Sequence, residues 1–197
     1  VWGSTSHVHA EALRIADGAR VKRISSLLEP IGRVEGLPRR LVANANITFE
    51  GVKTGNVRFA IPPSIAKSWI ALDERNVRVL RRYMNGDDAN SRPDVTGTRW
   101  VIDFGNMAHS EAASYAVPFK YLRDALKDSG GNLDGEWWNF VRSRPTLREA
   151  MNGLTEVLII ALTSTTVMPL RVGTGPVFSN ALGVFASDSF ALQAALS

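Results

Sequence analysis

Residues 80–106 read LRRYMNGDDANSRPDVTGTRWVIDFGN, a polar stretch that runs into a short apolar one. Residues 85–98 are dense in Asn, Gly, Asp, Ser and Pro, the residue types that form turns. In the residues that follow, large apolar side chains recur at every second position: Trp100, Ile102 and Phe104. Alternation with a period of two predicts a strand that packs these three side chains into the core.

Short helices and short strands follow one another in no regular order along the rest of the chain. The predicted strands cover residues 46–49, 57–61, 99–104, 157–162, 167–172 and 177–185. The predicted helices cover residues 7–30 in one or two pieces, a segment capped by Ser64, another opened by Ser110, residues 119–128 and 145–153, and a last helix capped by Asp188 or Ser189. This mixture, without a repeating strand–helix–strand order, predicts an α+β fold in which a mixed or antiparallel sheet packs against short helices.

The composition is that of a globular protein, with 45% hydrophobic and 21% charged residues in a chain of 197. No apolar run approaches the ~20 residues that span a bilayer, and no basic stretch leads into an apolar one at the start. We therefore expect no membrane partner and a cytoplasmic location. Cysteine is absent, which excludes disulfides, thiolate catalysis and cysteine-ligated zinc.

The charge is positive and is carried mainly by arginine. The formal net charge is +4, and only five of the 23 basic residues are Lys. A guanidinium group binds a phosphate or a guanine edge with two parallel hydrogen bonds, so this bias favours a nucleic-acid partner. A genome rich in G and C also raises the arginine content, and a mildly basic protein without such a partner remains an alternative.

Four acidic residues that lie close together are candidates for a nuclease site: Asp87, Asp88, Asp94 and Asp103. A metal-dependent nuclease of this kind needs a second acidic residue two positions before a Lys, because strand alternation then turns both side chains to one metal. None of the 19 acidic residues has that spacing. We predict instead that these residues cap turns and pair with Arg92 and Arg99, and that Gly86 and Asp88 fix a turn.

Other catalytic patterns are missing as well. The Pro62-Pro63 pair lacks the preceding Asn of an adenine methyltransferase loop, and residues 173–176 are too short for a cofactor or phosphate loop. His7 and His9 have no third ligand partner, and His109 lies beside a predicted helix start. The sequence therefore predicts no catalytic residue, no metal site and no cofactor site within this chain.

Residues 80–106 resemble the target-recognition region of MmeI-like Type IIG restriction-modification enzymes and of related phage-defence adenine DNA methyltransferases. The matching residues are Tyr83, Asn85, Gly86, Asp88, Asn90, Pro93 and Arg99 to Phe104. Further matches, in the same order as in the family, are residues 44–51 and 55–59, Ala112, Tyr115, Trp137, Trp138, Arg142, Arg144, Pro145, Leu147, residues 177–179 and 184–186, and residues 191–197. The resemblance covers about residues 40–197.

The resemblance implies that this chain is part of a larger bacterial protein. Residues 41–197 would be its DNA target-recognition domain, and residues 1–40 a helical or spacer segment. A methyltransferase domain elsewhere in the parent chain would bind S-adenosylmethionine and methylate a flipped adenine, often with an N-terminal nuclease. The implied partners are double-stranded DNA and that methyltransferase domain.

Candidate DNA-binding residues lie in the second half of the chain, where the specificity of the family resides. Arg142 and Arg144 flank a helix start and are predicted to contact phosphate, with a surface salt bridge as the alternative. A polar cluster and one arginine at a strand connection are predicted to read bases, with an ordinary structural role in a hairpin as the alternative: Thr163, Ser164, Thr165, Thr166 and Arg171. Of Trp137 and Trp138, one is predicted to be core, and the other to cover the domain edge or stack on a base.

Two other functions stay open at this point. A protein-interaction module could dock a methyltransferase to a nuclease without reading bases, and salt-dependent DNA binding would separate it from a DNA-reading module. A stand-alone enzyme is disfavoured because its motifs are missing.

Overall fold

The computed structural model describes residues 13–16, 18–22, 24, 42, 45–92 and 94–197. The chain divides into two compact units, Val1–Ala43 and Asn44–Ser197. None of the described helices is both long enough and apolar enough to cross a membrane. The predicted boundary between residues 40 and 41 stays a prediction.

The described part of the first unit is an antiparallel hairpin of β1 (Arg14–Ala16) and β2 (Ala19–Val21). Gly18 reverses the chain with a φ of 77°, a conformation that glycine adopts without steric cost because it lacks a Cβ. The helix predicted over residues 7–30 is therefore wrong at these residues. The rest of that segment, including His7 and His9, lies outside the described residues.

The second unit contains two four-stranded sheets. Its strands are β3 (Thr48–Glu50), β4 (Ala60–Ile61), β5 (Leu80–Met84), β6 (Arg99–Ile102), β7 (Glu156–Ala161), β8 (Leu170–Gly173), β9 (Val177–Phe178) and β10 (Leu182–Phe185). The sheet β3-β10-β7-β8 is antiparallel throughout, and in the sheet β4-β6-β5-β9 the β5–β9 pair is parallel.

Short helices cover the two sheets. They are α1 (Pro63–Leu72), α2 (Gly86–Ser91), α3 (His109–Ala113), α4 (Ala116–Asp128), α5 (Pro145–Ala150) and α6 (Phe190–Leu196). Two 3-10 turns are formed by Val57–Phe59 and Glu74–Arg78. The predicted α+β class is confirmed. The first of these turns replaces most of the strand that the sequence predicts over residues 57–61.

Each sheet has its own hydrophobic core. The first core lies between the sheet β4-β6-β5-β9 and helices α1, α3 and α4, and contains Phe104, Phe119 and Leu122. The second core covers one face of the other sheet and includes Leu147 of α5 and Ile159 of β7. Strand β6 is buried on both sides, because Val101 and Ile102 are each 0% exposed. Trp100, predicted to be core, is only partly buried.

The chain passes from one sheet to the other between β9 and β10. Val177 packs in the first core and its neighbour Phe178 in the second, since successive side chains of a strand point to opposite sides. The backbone N–H of Ser179 then bonds to Met84 O at 2.9 Å, and that of Leu182 bonds to Ser179 O at 2.9 Å. The single strand predicted over residues 177–185 is therefore wrong, because a tight turn in its middle separates two strands.

Several helix starts differ from the prediction. Pro63, and not a cap by Ser64, begins α1, and α3 begins after Ala108 with no side-chain cap instead of at Ser110. Proline at the first helical position has a suitable φ and no N–H to satisfy, which removes the need for a polar cap. Ser189 caps α6 as predicted, by accepting from the N–H of Leu192.

The predicted turn of residues 85–98 contains the helix α2. Asn85 and Asp88 form a capping box, in which each side chain accepts a hydrogen bond from the other residue's backbone N–H. A capping box satisfies two N–H groups at a helix start that would otherwise have no partner. Asp88 also accepts from the N–H and hydroxyl of Thr98 at 3.2 and 2.9 Å, so one buried carboxylate closes the whole segment.

Candidate nucleic-acid interface

The polar cluster of residues 163–166 lies in the loop that joins β7 to β8. All four residues are exposed, as are their neighbours Leu162, Val167 and Met168. One hydrogen bond within the loop is present, from the Thr166 N–H to Ser164 Oγ at 3.3 Å. Hydroxyl groups that are exposed at the tip of a hairpin can donate to or accept from a base edge. The loop is therefore geometrically open to a partner.

This loop lies beside the start of α2. A Cβ placed on Gly86 would lie 3.9 Å from Thr163 Oγ1 and 3.5 Å from Ala181 Cβ. The N–H of Leu162 bonds to Ala181 O at 2.9 Å, which holds the base of the loop to the turn between β9 and β10. The loop of residues 163–166, called the hydroxyl loop below, is thus held at its start by a backbone hydrogen bond. It lies next to the capping box of Asn85 and Asp88.

Arg171 lies on β8 and is turned toward α6. Its Nη1 donates to Asp188 O at 2.9 Å, and its Nε and Nη2 donate to Gln193 Oε1 at 3.3 and 3.2 Å. The guanidinium also lies 4.0 Å from the centre of the Phe190 ring and 3.5 Å from Glu156 Oε2. Its side chain is only 15% exposed. These contacts attach the last helix to the sheet and leave little of the guanidinium open to a partner.

Arg142 and Arg144 converge on Glu50. Arg144 is the N-cap of α5, and its guanidinium donates to the Glu50 carboxylate and to Gly51 O, the latter at 3.4 Å. Arg142 Nη1 lies 3.9 Å from the same carboxylate, and the backbone of Arg142 pairs with Lys53 through two hydrogen bonds of 3.1 Å. The salt-bridge alternative is therefore present. The sequence did not single out Glu50, whose only signal is its position beside Gly51 within the matching residues 44–51.

The register places Glu50 and Arg171 on one face of the sheet β3-β10-β7-β8. Glu50 pairs with Gly183, which pairs with Ile160, while Arg171 pairs with Leu158 two residues away. Directly opposed residues share a face, and neighbouring strands lie about 4.8 Å apart. Glu50 and its two arginines therefore lie at the β3 edge, Arg171 at the β8 edge, and the hydroxyl loop at one end.

Two of the clustered acidic residues, Asp94 and Asp103, each pair with an arginine. Arg92 and Asp94 form an ion pair at 3.0 Å, as predicted. Hydrogen bonds from Arg92 and then from Thr96 lower the pKa of Asp94 to about 2. Asp103 pairs with Arg148 at 2.8 Å instead of with Arg99, so that part of the prediction is wrong. The reason is that Asp103 follows the end of β6 and faces α5.

The two neighbouring tryptophans differ in burial. Trp138 is 8% exposed and donates its Nε1–H to Met107 O at 2.9 Å, so it is the core residue of the pair. Trp137 is partly buried and packs on Phe119 with a ring separation of 4.9 Å. His109 lies against the same cluster, 5.1 Å from the Trp138 ring.

The described residues contain no group of three or more His, Asp or Glu side chains that could hold a metal ion. The turn of residues 173–176 joins strand β8 to strand β9. A methyl-donor loop runs from a strand into a helix, so this turn does not fit S-adenosylmethionine.

No protein-family model matches the chain, and no curated protein is similar to it in sequence. The structure is similar to that of the Type IIL restriction-modification enzyme MmeI in complex with DNA, with a TM-score of 0.57 and 17% sequence identity. The similarity covers 89% of this chain and 24% of that chain, so this chain spans about a quarter of the MmeI length. At this identity the two share a fold.

Proposed function

We propose that this chain is the DNA target-recognition part of a restriction-modification adenine methyltransferase. The observation that carries the proposal is the likeness, over 89% of this chain, to a part of a restriction-modification enzyme solved with DNA. The order of the sequence motifs and the excess of arginine support it independently. S-adenosylmethionine binding, methyl transfer and any nuclease belong in this proposal to the rest of the parent protein.

Base reading is assigned to the hydroxyl loop of residues 163–166. A hairpin tip is narrow enough to enter the major groove, where each base pair presents a distinct set of donors and acceptors. Hydroxyl groups both donate and accept, so small changes in the loop would change the preferred base. In this proposal Arg171, on β8, does not read bases but holds α6 against the sheet.

Phosphate contacts are assigned in part to Arg142 and Arg144. The two guanidinium groups share one carboxylate, that of Glu50, so the cluster keeps a net positive charge. The Arg142 side chain is 56% exposed, and a phosphate can therefore approach it without displacing Glu50 from Arg144. Contacts of this kind fix the position of the protein on the duplex and carry no sequence information.

Titration of the 197-residue chain with duplex DNA over a range of salt concentrations tests the proposal. We expect weak binding, ~micromolar or weaker, whose affinity falls linearly with salt on a log–log plot because phosphate contacts release counterions. If Arg142 contacts phosphate, Arg142→Gln should lower the slope of this log–log plot. Lys127→Gln, at the end of α4, is the control and should leave the slope unchanged. Absence of binding at low salt would favour the protein-interaction module instead.

The same preparation gives a second readout. Incubation with labelled S-adenosylmethionine and plasmid DNA is expected to give no methyl transfer and no cleavage, because no catalytic constellation is recognised in the sequence. Methyl-transfer activity that co-purifies with this chain would contradict the assignment of methyl transfer to another part of the parent protein.

A further inference from the structure

A cleft of about 310 Å³ lies where α5, the β8–β9 turn and β5 meet. Twelve residues line it, among them Arg81, Arg148, Asn152, Gly153, Leu154 and Thr174. Two of them are arginines and none is acidic. The cleft is separate from the hydroxyl loop, which contributes no lining residue. Apolar side chains, polar groups and the two arginines line it together.

The two arginines differ in how far their charge is compensated. Arg148 Nη2 is bound at 2.8 Å to Asp103, whose side chain is 3% exposed, so this pair is close to neutral. Arg81 Nη2 donates to the carbonyl oxygen of Gly175 at 2.8 Å and forms no ion pair with any described carboxylate. A carbonyl oxygen bears no net charge, so the positive charge of Arg81 remains available to a ligand.

The polar groups around the arginines suit an anion. The amide of Asn152 supplies N–H donors at the exposed rim, and Gly153 brings backbone close to the cleft without a side chain. Thr174 uses its hydroxyl to hold Leu154 O at 3.0 Å, which fixes the rim on the other side. Because a water occupies ~30 Å³ of liquid, the cleft has room for an anion with part of its hydration shell.

We propose that this cleft, lined by Arg81 and Arg148 without an acidic residue, is a binding site for a phosphate group. A guanidinium fork matches the geometry of phosphate oxygens and can donate two parallel hydrogen bonds to them. The phosphate can come from the DNA backbone or from a free phosphate-bearing molecule. The first source rests on the proposed function, and the second does not.

The first arm of the test uses inorganic phosphate alone. Amide chemical shifts of the chain are followed by NMR during a phosphate titration, with chloride at matched ionic strength as the control. We expect shifts grouped at residues 152–154 and 174–175. Arg81→Gln should weaken the apparent affinity by roughly tenfold or more, since hydrogen bonds to charged groups are among the stronger ones. The exposed Arg78→Gln should leave the affinity unchanged.

Asn152→Asp provides a second variant of nearly the same shape. The exposed Asn152 can be changed without disturbing the core, and the new carboxylate should repel the ligand and weaken binding several-fold. Asn106→Asp, also exposed and outside the cleft, is its control. Arg81 also bonds to Gly175, so Arg81→Gln could lower the melting temperature as well as the affinity for phosphate. In that case the comparison of Asn152→Asp with Asn106→Asp decides whether the cleft binds phosphate.

The second arm uses duplex DNA. If a backbone phosphate occupies the cleft, Arg81→Gln should lower the log–log salt slope by about one unit, and Arg78→Gln should not. Phosphate binding that depends on Arg81, together with unchanged DNA binding, assigns the site to a free phosphate-bearing ligand. If the chain binds phosphate in the cleft but binds no DNA, the phosphate site is supported and the proposed DNA-recognition function is contradicted. No shifts in the cleft, or equal effects of both arginine changes, overturn the site even if DNA binds.

Discussion

At the scale of single residues, the ion pair of Arg148 and Asp103 contains the most buried carboxylate among the described pairs. Asp103 is almost fully buried, and it also accepts the N–H of Gly105 at 3.0 Å. Arg148 reaches it from α5, 2.8 Å away, and so connects that helix to the end of β6. A buried carboxylate that loses its cation keeps the cost of its desolvation without the compensating attraction.

Arg148→Met is therefore expected to lower the free energy of unfolding by ~2–4 kcal/mol. The value lies toward the lower end because Arg148 is itself 34% exposed. Urea denaturation followed by tryptophan fluorescence measures it. Arg75→Met, which breaks the exposed pair with Asp73, is the matched control and should leave the denaturation midpoint nearly unchanged. Equal effects of the two changes would refute the role given to burial.

At the scale of elements, the crossing between the two sheets depends on a close backbone approach. A Cβ placed on Gly51 would overlap the carbonyl oxygens of Phe178 and Ser179. The N–H of Val52 also bonds to Phe178 O at 2.8 Å. The segment after β3 thus lies directly against the turn between β9 and β10, and only glycine allows that distance.

Gly51→Ala is expected to destabilise the second unit by about 3 kcal/mol, because backbone atoms must move apart to admit the methyl group. Thermal unfolding by circular dichroism measures the change. Gly175→Ala serves as the comparison, since nothing lies within 4 Å of its Cβ position, and it should be close to neutral. A melting temperature for Gly51→Ala that equals that of the unchanged chain would contradict the close approach.

The attachment of α6 by Arg171 is a second relation between elements. None of the residues of α6 is buried, and Phe190 is 76% exposed, so few apolar contacts hold this helix. Its attachment depends on Arg171, which contacts Asp188, Phe190 and Gln193.

Arg171→Met should therefore release α6 while the sheet remains folded. Hydrogen exchange is expected to show faster exchange of the amides of residues 190–197 and unchanged exchange in β7. In a longer protein that carries the methyltransferase domain, methylation-site sequencing gives the complementary readout. A changed methylation site with unchanged exchange in α6 would instead support the sequence-based prediction that Arg171 reads bases.

At the scale of the whole molecule, the surface charge is set by which arginines have a carboxylate partner. Glu50 serves two of the predicted phosphate-binding residues, so it limits their attraction for DNA. Glu50→Gln should tighten binding to duplex DNA and steepen its salt dependence, because both guanidinium groups become free. Salt-dependent fluorescence anisotropy measures it, with Glu74→Gln as a control of the same charge change. Weaker binding would mean that Glu50 orients the arginines.

Sequence alone determined the class of the fold and the positions of most elements in the second unit. The helices at α1, α4, α5 and α6 and the strands at β3, β6, β7 and β8 follow from patterns of three to thirteen residues. Such patterns are local, because side-chain alternation, proline and serine at helix starts, and glycine at turns act within a few residues. The hydroxyl loop of residues 163–166 was found in the same way.

Tertiary structure alone decided the relations between distant residues. Glu50 meets Arg144 across 94 positions of the chain, and Arg81 meets Gly175 across the same separation. The tight turn that divides residues 177–185 between two sheets also depends on Gly51 and Met84. The physical reason is that ion pairs and clefts form between residues that are close in space but distant in the chain. Local sequence patterns do not determine which distant residues meet.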